Sequence, residues 1–95
     1  MTNADIIATT IDYLKQYKVK EIGFFGSFAR NEMTEKSDID VLVEYSRGTT
    51  LFDIAQMHLD LSEKLGKKVD LVDKEAVLPG IMPYILKDLK VVYHA

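Results

Sequence analysis

The sequence GSFAR at residues 26–30, followed by SDIDVLV at residues 37–43, decides how this chain folds. An apolar run of β-forming residues, Glu21–Phe25, ends abruptly at Gly26. A polar loop then leads to a second apolar run, which opens with Ser-Asp-x-Asp. This order predicts a strand, a glycine turn, a short helix and a second strand.

The glycine turn has the residues of a phosphate-binding site. Gly26 lets the backbone turn tightly and approach a ligand, because it has no Cβ. The backbone amides that follow it are free to bind an anion, and Ser27 adds a hydroxyl group. We therefore expect phosphate groups to bind at Gly26 and Ser27.

Two aspartates open the second strand. Asp38 and Asp40 are two residues apart, so on a strand both carboxylates leave the same face. Paired carboxylates repel each other unless a proton or a cation lies between them. Mg²⁺ suits such oxygen ligands and is usually shared with substrate phosphates. A phosphate site beside metal-binding carboxylates predicts nucleotide chemistry.

Composition limits the class of protein. Ninety-five residues with 47% hydrophobic content predict one globular domain over residues 1–95. A net charge of −3 argues against direct nucleic-acid binding, which normally needs a basic patch. The chain has no cysteine, and we find neither a signal peptide nor a run long enough to span a membrane. A cytoplasmic protein without membrane contact is expected.

Two longer helices are predicted by their start signals. Thr2-x-x-Asp5 and Thr50-x-x-Asp53 both resemble capping boxes. The second helix should end at Gly66, and its apolar stripe is predicted to contain Leu51, Ile54, His58, Leu61 and Leu65. The lysines at 64, 67 and 68 have acidic neighbours and are interpreted as a solvated helix end.

The C-terminal third should supply two more strands. Residues 68–72 form an apolar run with one acid, Asp70, which could complete a three-carboxylate site beside the first two strands. Asp70 could also accept the proton of an attacking hydroxyl. A short helix over about 81–88 and a last strand over 90–94 follow. The apolar residues near Leu78 and Tyr84 have two equally good explanations. They could remain exposed and form a partner surface, or they could be buried and complete the core.

Arg30 has two interpretations. Its guanidinium could bind the oxygens of a triphosphate held at Gly26 and Ser27. It could equally be an exposed arginine that pairs with Glu32 or Glu35. The residues alone do not separate these two readings.

Three motifs together carry a resemblance: residues 26–30, residues 37–43 and GKKVDLV at residues 66–72. In this order they are similar to the minimal nucleotidyltransferase (MNT) family of the DNA polymerase β-like nucleotidyltransferase superfamily. The resemblance implies an α/β fold with a mixed four-stranded sheet, whose first two strands are antiparallel. One departure is Asn31, where the family usually has glycine. Asparagine tolerates left-handed backbone angles, so the loop should be preserved.

The resemblance also implies an activity. Similar proteins bind ATP with Mg²⁺, two ions being expected here, and transfer AMP to a hydroxyl while pyrophosphate leaves. By that analogy Gly26, Ser27 and Arg30 bind the phosphates. Asp38 and Asp40 bind metal, and Asp70 is a third ligand or the base. Small prokaryotic members are often antitoxins that add AMP to a tyrosine of a HEPN toxin.

The size of the chain leaves the acceptor open. We expect ninety-five residues to supply no second lobe for an acceptor, so the hydroxyl is expected on a HEPN partner or on another copy of this chain. A non-catalytic antitoxin that acts by binding is the main alternative. Transfer to a small molecule such as an aminoglycoside is a third. The three aspartates favour an enzyme, because a pure binding protein has no need of clustered negative charge.

Overall fold

Helices and strands alternate along the chain. The computed structural model describes residues 1–95. In chain order its elements are α1 (Asn3–Lys15), β1 (Glu21–Phe25), α2 (Gly26–Ala29), β2 (Ile39–Glu44), α3 (Leu51–Leu65), β3 (Val69–Asp73), α4 (Met82–Asp88) and β4 (Lys90–His94). The predicted order of elements is confirmed, including the short helix that follows the glycine turn.

The four strands form one mixed sheet in the order β3-β2-β1-β4. β1 pairs antiparallel with both β2 and β4, whereas β2 and β3 are parallel. The predicted mixed four-stranded sheet is confirmed, as is the antiparallel pairing of the first two strands. The parallel pair places the first residues of β2 and β3 side by side at one end of the sheet.

The ends of the long helices are set by local side chains. The hydroxyl groups of Thr2 and Thr50 each accept a hydrogen bond from the backbone N–H three residues later. The aspartate at that position accepts one from the threonine N–H in return. Both predicted capping boxes are therefore confirmed. Gly66 ends α3 with φ +65°, as predicted for a glycine at this position.

α1 and α3 cover one face of the sheet, and the main core lies between them and alternate residues of the strands. α3 contributes Met57, Leu61 and Leu65, which are four residues apart and lie on one helical face. The predicted stripe was wrong for Leu51, which is 83% exposed. At roughly 100° per residue, Leu51 lies about 120° around the helix from Met57 and faces away from the sheet.

The opposite face of the sheet is only partly covered. Leu42 is 1% exposed there and is paired in register with Gly23. α4 packs on β1 over this face through Ile85, which is buried. A Cβ at Gly23 would lie 2.6 Å from Leu89 Cδ1, so the missing side chain lets the end of α4 approach the strand. Asp40 and Asp70 project from this same face, because residues two apart share a side.

No helix combines the length and the apolar character that crossing a membrane requires.

We predict that Thr50→Ala lowers the free energy of unfolding by about 1 kcal/mol, because the variant loses the capping hydrogen bond of α3. Urea unfolding measures the change. Thr50→Ser keeps the hydroxyl and is the matched control, which should stay close to the parent. Equal losses in both variants would show that the cap does not contribute.

Candidate active site

The predicted phosphate turn and the predicted metal carboxylates lie at one end of the sheet. Phe25, the last residue of β1, pairs directly with Asp40 at the start of β2. Because these strands are antiparallel, the exit of one and the entry of the other are neighbours. The turn at Gly26 therefore begins next to the Asp40 side chain.

The contact between Gly26 and Asp40 is the tightest at the site. Gly26 has φ +69°, a left-handed conformation that side chains disfavour. A Cβ built on it would lie 2.3 Å from Asp40 Oδ2 and 3.2 Å from Asp40 Cγ. The carboxylate occupies the space that a side chain would need. Two independent constraints thus require glycine here.

The backbone after Gly26 is arranged to leave amides free. The first N–H groups of a helix have no partner within it, and α2 is a helix of only four residues that starts at Gly26. Ser27 lies at its second position and is half-buried. Asn31 closes this segment with φ +57°, so asparagine adopts the left-handed conformation expected of it. The departure from glycine therefore leaves the local backbone intact.

Asp40 and Asp70 are brought together by the parallel pair of strands, in which they are register partners. Burial raises the pKa of the Asp40 carboxyl above its ordinary value, and the negative charges of Asp70 and then Asp38 raise it further. Arg30 opposes this effect only weakly. The site thus concentrates negative charge that nothing in the chain neutralises fully.

Asp38 is held differently from the other two acids. It lies just before β2, and its Oδ2 is 3.6 Å from Lys68 Nζ. No three His, Cys, Asp or Glu side chains are arranged in this structure to hold a metal ion. The grouping of Asp38, Asp40 and Asp70 as metal ligands therefore stays a prediction.

Arg30 is engaged by two carboxylates. Its Nη1 donates to Asp88 Oδ2 at 2.6 Å, and its Nε donates to Glu32 Oε2 at 3.2 Å. These bonds, the one to Asp88 above all, hold the pKa of Arg30 above its ordinary value. Of the two acids considered from the sequence, Glu32 is a partner and Glu35 is not. Phosphate binding by Arg30 stays a prediction.

A cavity of about 380 Å³ joins these features. Gly26, Arg30 and Asp40 line it together with residues of α4. Its volume lies within the range of small-molecule sites. A cavity of about 410 Å³ near Tyr45 and Arg47, at the other end of β2, contains none of the predicted site residues.

Lys67 supports the site in a way that the sequence did not reveal. Its Nζ donates to the backbone carbonyls of Thr34, Glu35 and Ser37 at 3.1–3.3 Å. The interpretation of this lysine as part of a solvated helix end was wrong, because its charge holds the loop that leads into Asp38. In the sequence, the only local indication of this role was the position of Lys67 directly after Gly66, which ends the helix.

Comparison with known proteins identifies relatives over most of the chain. The family model described as "Nucleotidyltransferase domain" matches residues 7–92. A Methanocaldococcus jannaschii protein, provisionally named a protein adenylyltransferase, is 47% identical over 87 residues, which is 90% of this chain and 86% of that protein. The protein adenylyltransferase MntA of Thermococcus cleftensis is 38% identical over 75 residues, covering 79% and 76% of the two chains.

The fold has a close match among solved structures. A structure described as the tri-AMPylated Shewanella oneidensis HEPN toxin in complex with MNT antitoxin contains a chain that superposes with a TM-score of 0.79. The match covers 99% of this chain and 74% of that one, at 20% identity. At this identity the likeness concerns the fold, and it agrees with the α/β architecture predicted from the motifs.

We predict that Gly26→Ala destabilises the protein more than Gly66→Ala. Both glycines have φ between +65° and +69°, so both variants incur about 1 kcal/mol or more of left-handed strain. Only at Gly26 does the new methyl group also meet the Asp40 carboxylate, since nothing lies within 4 Å at Gly66. Urea unfolding gives both free energies. Equal losses would show that the Asp40 side chain moves away without cost.

We predict that Asp40→Asn raises the melting temperature at pH 7. A folded-state pKa above the unfolded value of about 3.8 means that the folded chain binds more protons, so stability falls as pH rises through that interval. Asparagine removes this penalty, and the gain over the parent should shrink towards pH 4. Calorimetric scans across pH measure it. The control is Asp12→Asn, at an exposed position of α1, which should show no such gain. A lower melting temperature for Asp40→Asn than for the parent would contradict the prediction.

Proposed function

Because this chain belongs to the nucleotidyltransferase domain family, as a minimal nucleotidyltransferase, we propose that it moves AMP from ATP to a protein hydroxyl. One observation carries the proposal: the Asp40 carboxylate lies against the Gly26 turn, in register with Asp70 and in the cavity that Arg30 also lines. Phosphates held at the turn would have their reacting end beside the carboxylates. The names of the relatives support adenylyl transfer to protein as the form of this chemistry.

The phosphate side of the site has three parts. The amides that follow Gly26, together with the Ser27 hydroxyl, would hold the β- and γ-phosphates. Arg30 would exchange its bond to Asp88 for phosphate oxygens, which a guanidinium binds in pairs. Because the phosphate oxygens would replace the Asp88 carboxylate as acceptor, the guanidinium would be paired with a negative charge both before and after ATP binds.

The carboxylate side is suited to Mg²⁺. Asp38, Asp40 and Asp70 supply only hard oxygen donors. Burial raises the pKa of the Asp40 carboxyl, and the charges of Asp70 and Asp38 raise it further, an effect that a bound cation would oppose. They would hold one or two ions, with Asp38 leaving Lys68 to do so. When bound, Mg²⁺ would supply electrostatic stabilisation of the charge on the transferring phosphoryl group.

The transfer itself forms one bond and breaks one. The acceptor oxygen would attack the α-phosphorus of ATP, and the bond from that phosphorus to the bridging oxygen of the β-phosphate would break. Pyrophosphate leaves with the bonding electrons, and the proton of the acceptor hydroxyl passes to the Asp70 carboxylate. Asp70 is exposed, so an acceptor that belongs to another molecule can reach it.

We propose a tyrosine of a HEPN partner as the acceptor, with this chain acting as the antitoxin. A chain in a structure described as a tri-AMPylated HEPN toxin in complex with MNT antitoxin has the same fold, which supports this proposal.

We predict that the parent binds ATP by calorimetry only when Mg²⁺ is present, and that Asp38→Asn/Asp40→Asn loses this metal-dependent binding. Asp12→Asn/Glu63→Gln changes the net charge equally on exposed helix positions and should bind like the parent. Mixed with ATP and a HEPN protein encoded by the same organism, the parent should add the mass of AMP to that protein. The double variant should do so about a hundredfold more slowly or worse, because metal stabilisation is worth several kcal/mol.

Other outcomes would separate the alternatives. Neutralisation of the HEPN protein without any mass increase, by parent and double variant alike, would show a non-catalytic antitoxin. Absence of ATP binding both alone and with the partner would overturn the enzyme proposal.

A further inference from the structure

The cavity at the active site has a second wall that the phosphate and metal chemistry does not use. It is formed by Ile81, Tyr84 and Ile85 of the segment that starts α4. Together with Asp88 these residues follow the spacing i, i+3, i+4 and i+7, so they share one helical face. That face is turned towards Asp40 and Arg30, since Asp88 bonds to Arg30 from it.

The apolar groups of this wall are poorly covered. Ile85 is buried against the sheet, but Tyr84 is 75% exposed and Ile81 is 51% exposed. An aromatic ring lines this cavity together with Gly26 and Arg30. Small-molecule pockets typically combine such apolar and aromatic side chains with a few polar groups. The ring offers a flat apolar face with little to bury it in the chain itself.

We propose that Tyr84 stacks on the nucleobase of the bound nucleotide and that Ile81 packs beside it. The inference rests on the proposed function, because it takes the phosphates to lie at Gly26 and Ser27. A nucleoside triphosphate carries its base beyond the α-phosphate, and the α4 wall lines the same cavity as the phosphate turn. Tyr84 is then a substrate-contacting residue that sets affinity for the base.

The chemistry of this wall also sets its selectivity. Stacking on an aromatic ring accepts every nucleobase, because each has a π-face. The α4 wall beside Tyr84 offers aliphatic carbon, the Lys87 ammonium and the Asp88 carboxylate, but no amide side chain that would read a base edge. We therefore expect selection by stacking area, so that the larger purines bind more tightly than pyrimidines.

Binding of two probes by two variants tests the inference. With Mg²⁺ present, Tyr84→Ala should weaken ATP binding about fivefold or more, whereas Tyr84→Phe, which keeps the ring, should bind like the parent. Inorganic tripolyphosphate has no base, so its affinity should be the same for the parent and for Tyr84→Ala. Calorimetry measures both ligands.

Fluorescence supplies an independent measurement of proximity. The chain has no tryptophan, so Tyr84→Trp introduces a single emitter at the proposed site. ATP should quench it with the midpoint found by calorimetry, and tripolyphosphate should not. Phe52→Trp, at a position on α3 across the sheet that is 88% exposed, is the matched control and should not respond to ATP.

Three results would overturn the inference. One is unchanged ATP affinity in Tyr84→Ala, which would leave the wall to another ligand, such as the ring of an acceptor tyrosine. Another is an equal loss of tripolyphosphate affinity, which would place the effect of Tyr84 on the phosphate site. A parent that binds neither probe, alone or with its partner, would overturn the proposed function and this inference together.

Discussion

The close approach of the Asp40 carboxylate to the backbone of Gly26 is the constraint on which the site depends. It joins the end of one strand to the start of its neighbour and leaves no room for a Cβ between them. Because the strands are antiparallel, this contact also fixes where the turn and the acid lie relative to each other. A small displacement of either strand would separate the two halves of the site.

The two faces of the sheet divide stability from chemistry. One face buries the side chains that α1 and α3 cover, and it provides most of the hydrophobic core. The other face holds Asp40 and Asp70 side by side, and α4 covers only part of it. The partial burial of Asp40 and its repulsion by the neighbouring Asp70 oppose folding, so the apolar face has to compensate. Such local conflict within an otherwise consistent fold is typical of a functional site.

Much of the fold could be predicted because its signals are local. Capping boxes at Thr2 and Thr50 and the left-handed glycine at position 66 depend on residues a few positions apart, and each was visible in the sequence. The relation of β1 to β2 was not visible, since residues 26–38 are long enough to join strands in either direction. The antiparallel pairing was predicted from the family resemblance alone, because no pattern in the residues indicated it.

The features that the sequence hid are contacts between distant residues. Arg30 and Asp88 are 58 residues apart, and no local pattern connects them. The α4 wall of the cavity could not be predicted for the same reason. From the sequence alone, the apolar residues near Tyr84 could equally have been buried in the core. The roles proposed for single residues of the site rest on their chemistry and on the family resemblance.

The three hydrogen bonds of Lys67 have a consequence for dynamics. This lysine follows the last turn of α3 and donates hydrogen bonds to backbone carbonyls of the loop that enters β2. Local opening of a protein proceeds in roughly contiguous cooperative units. Because Lys67 bonds to this loop from the segment that ends α3, we expect the loop before Asp38 to be protected by an element on the far side of the sheet. Fraying of the last turn of α3 should then loosen the entrance to the site.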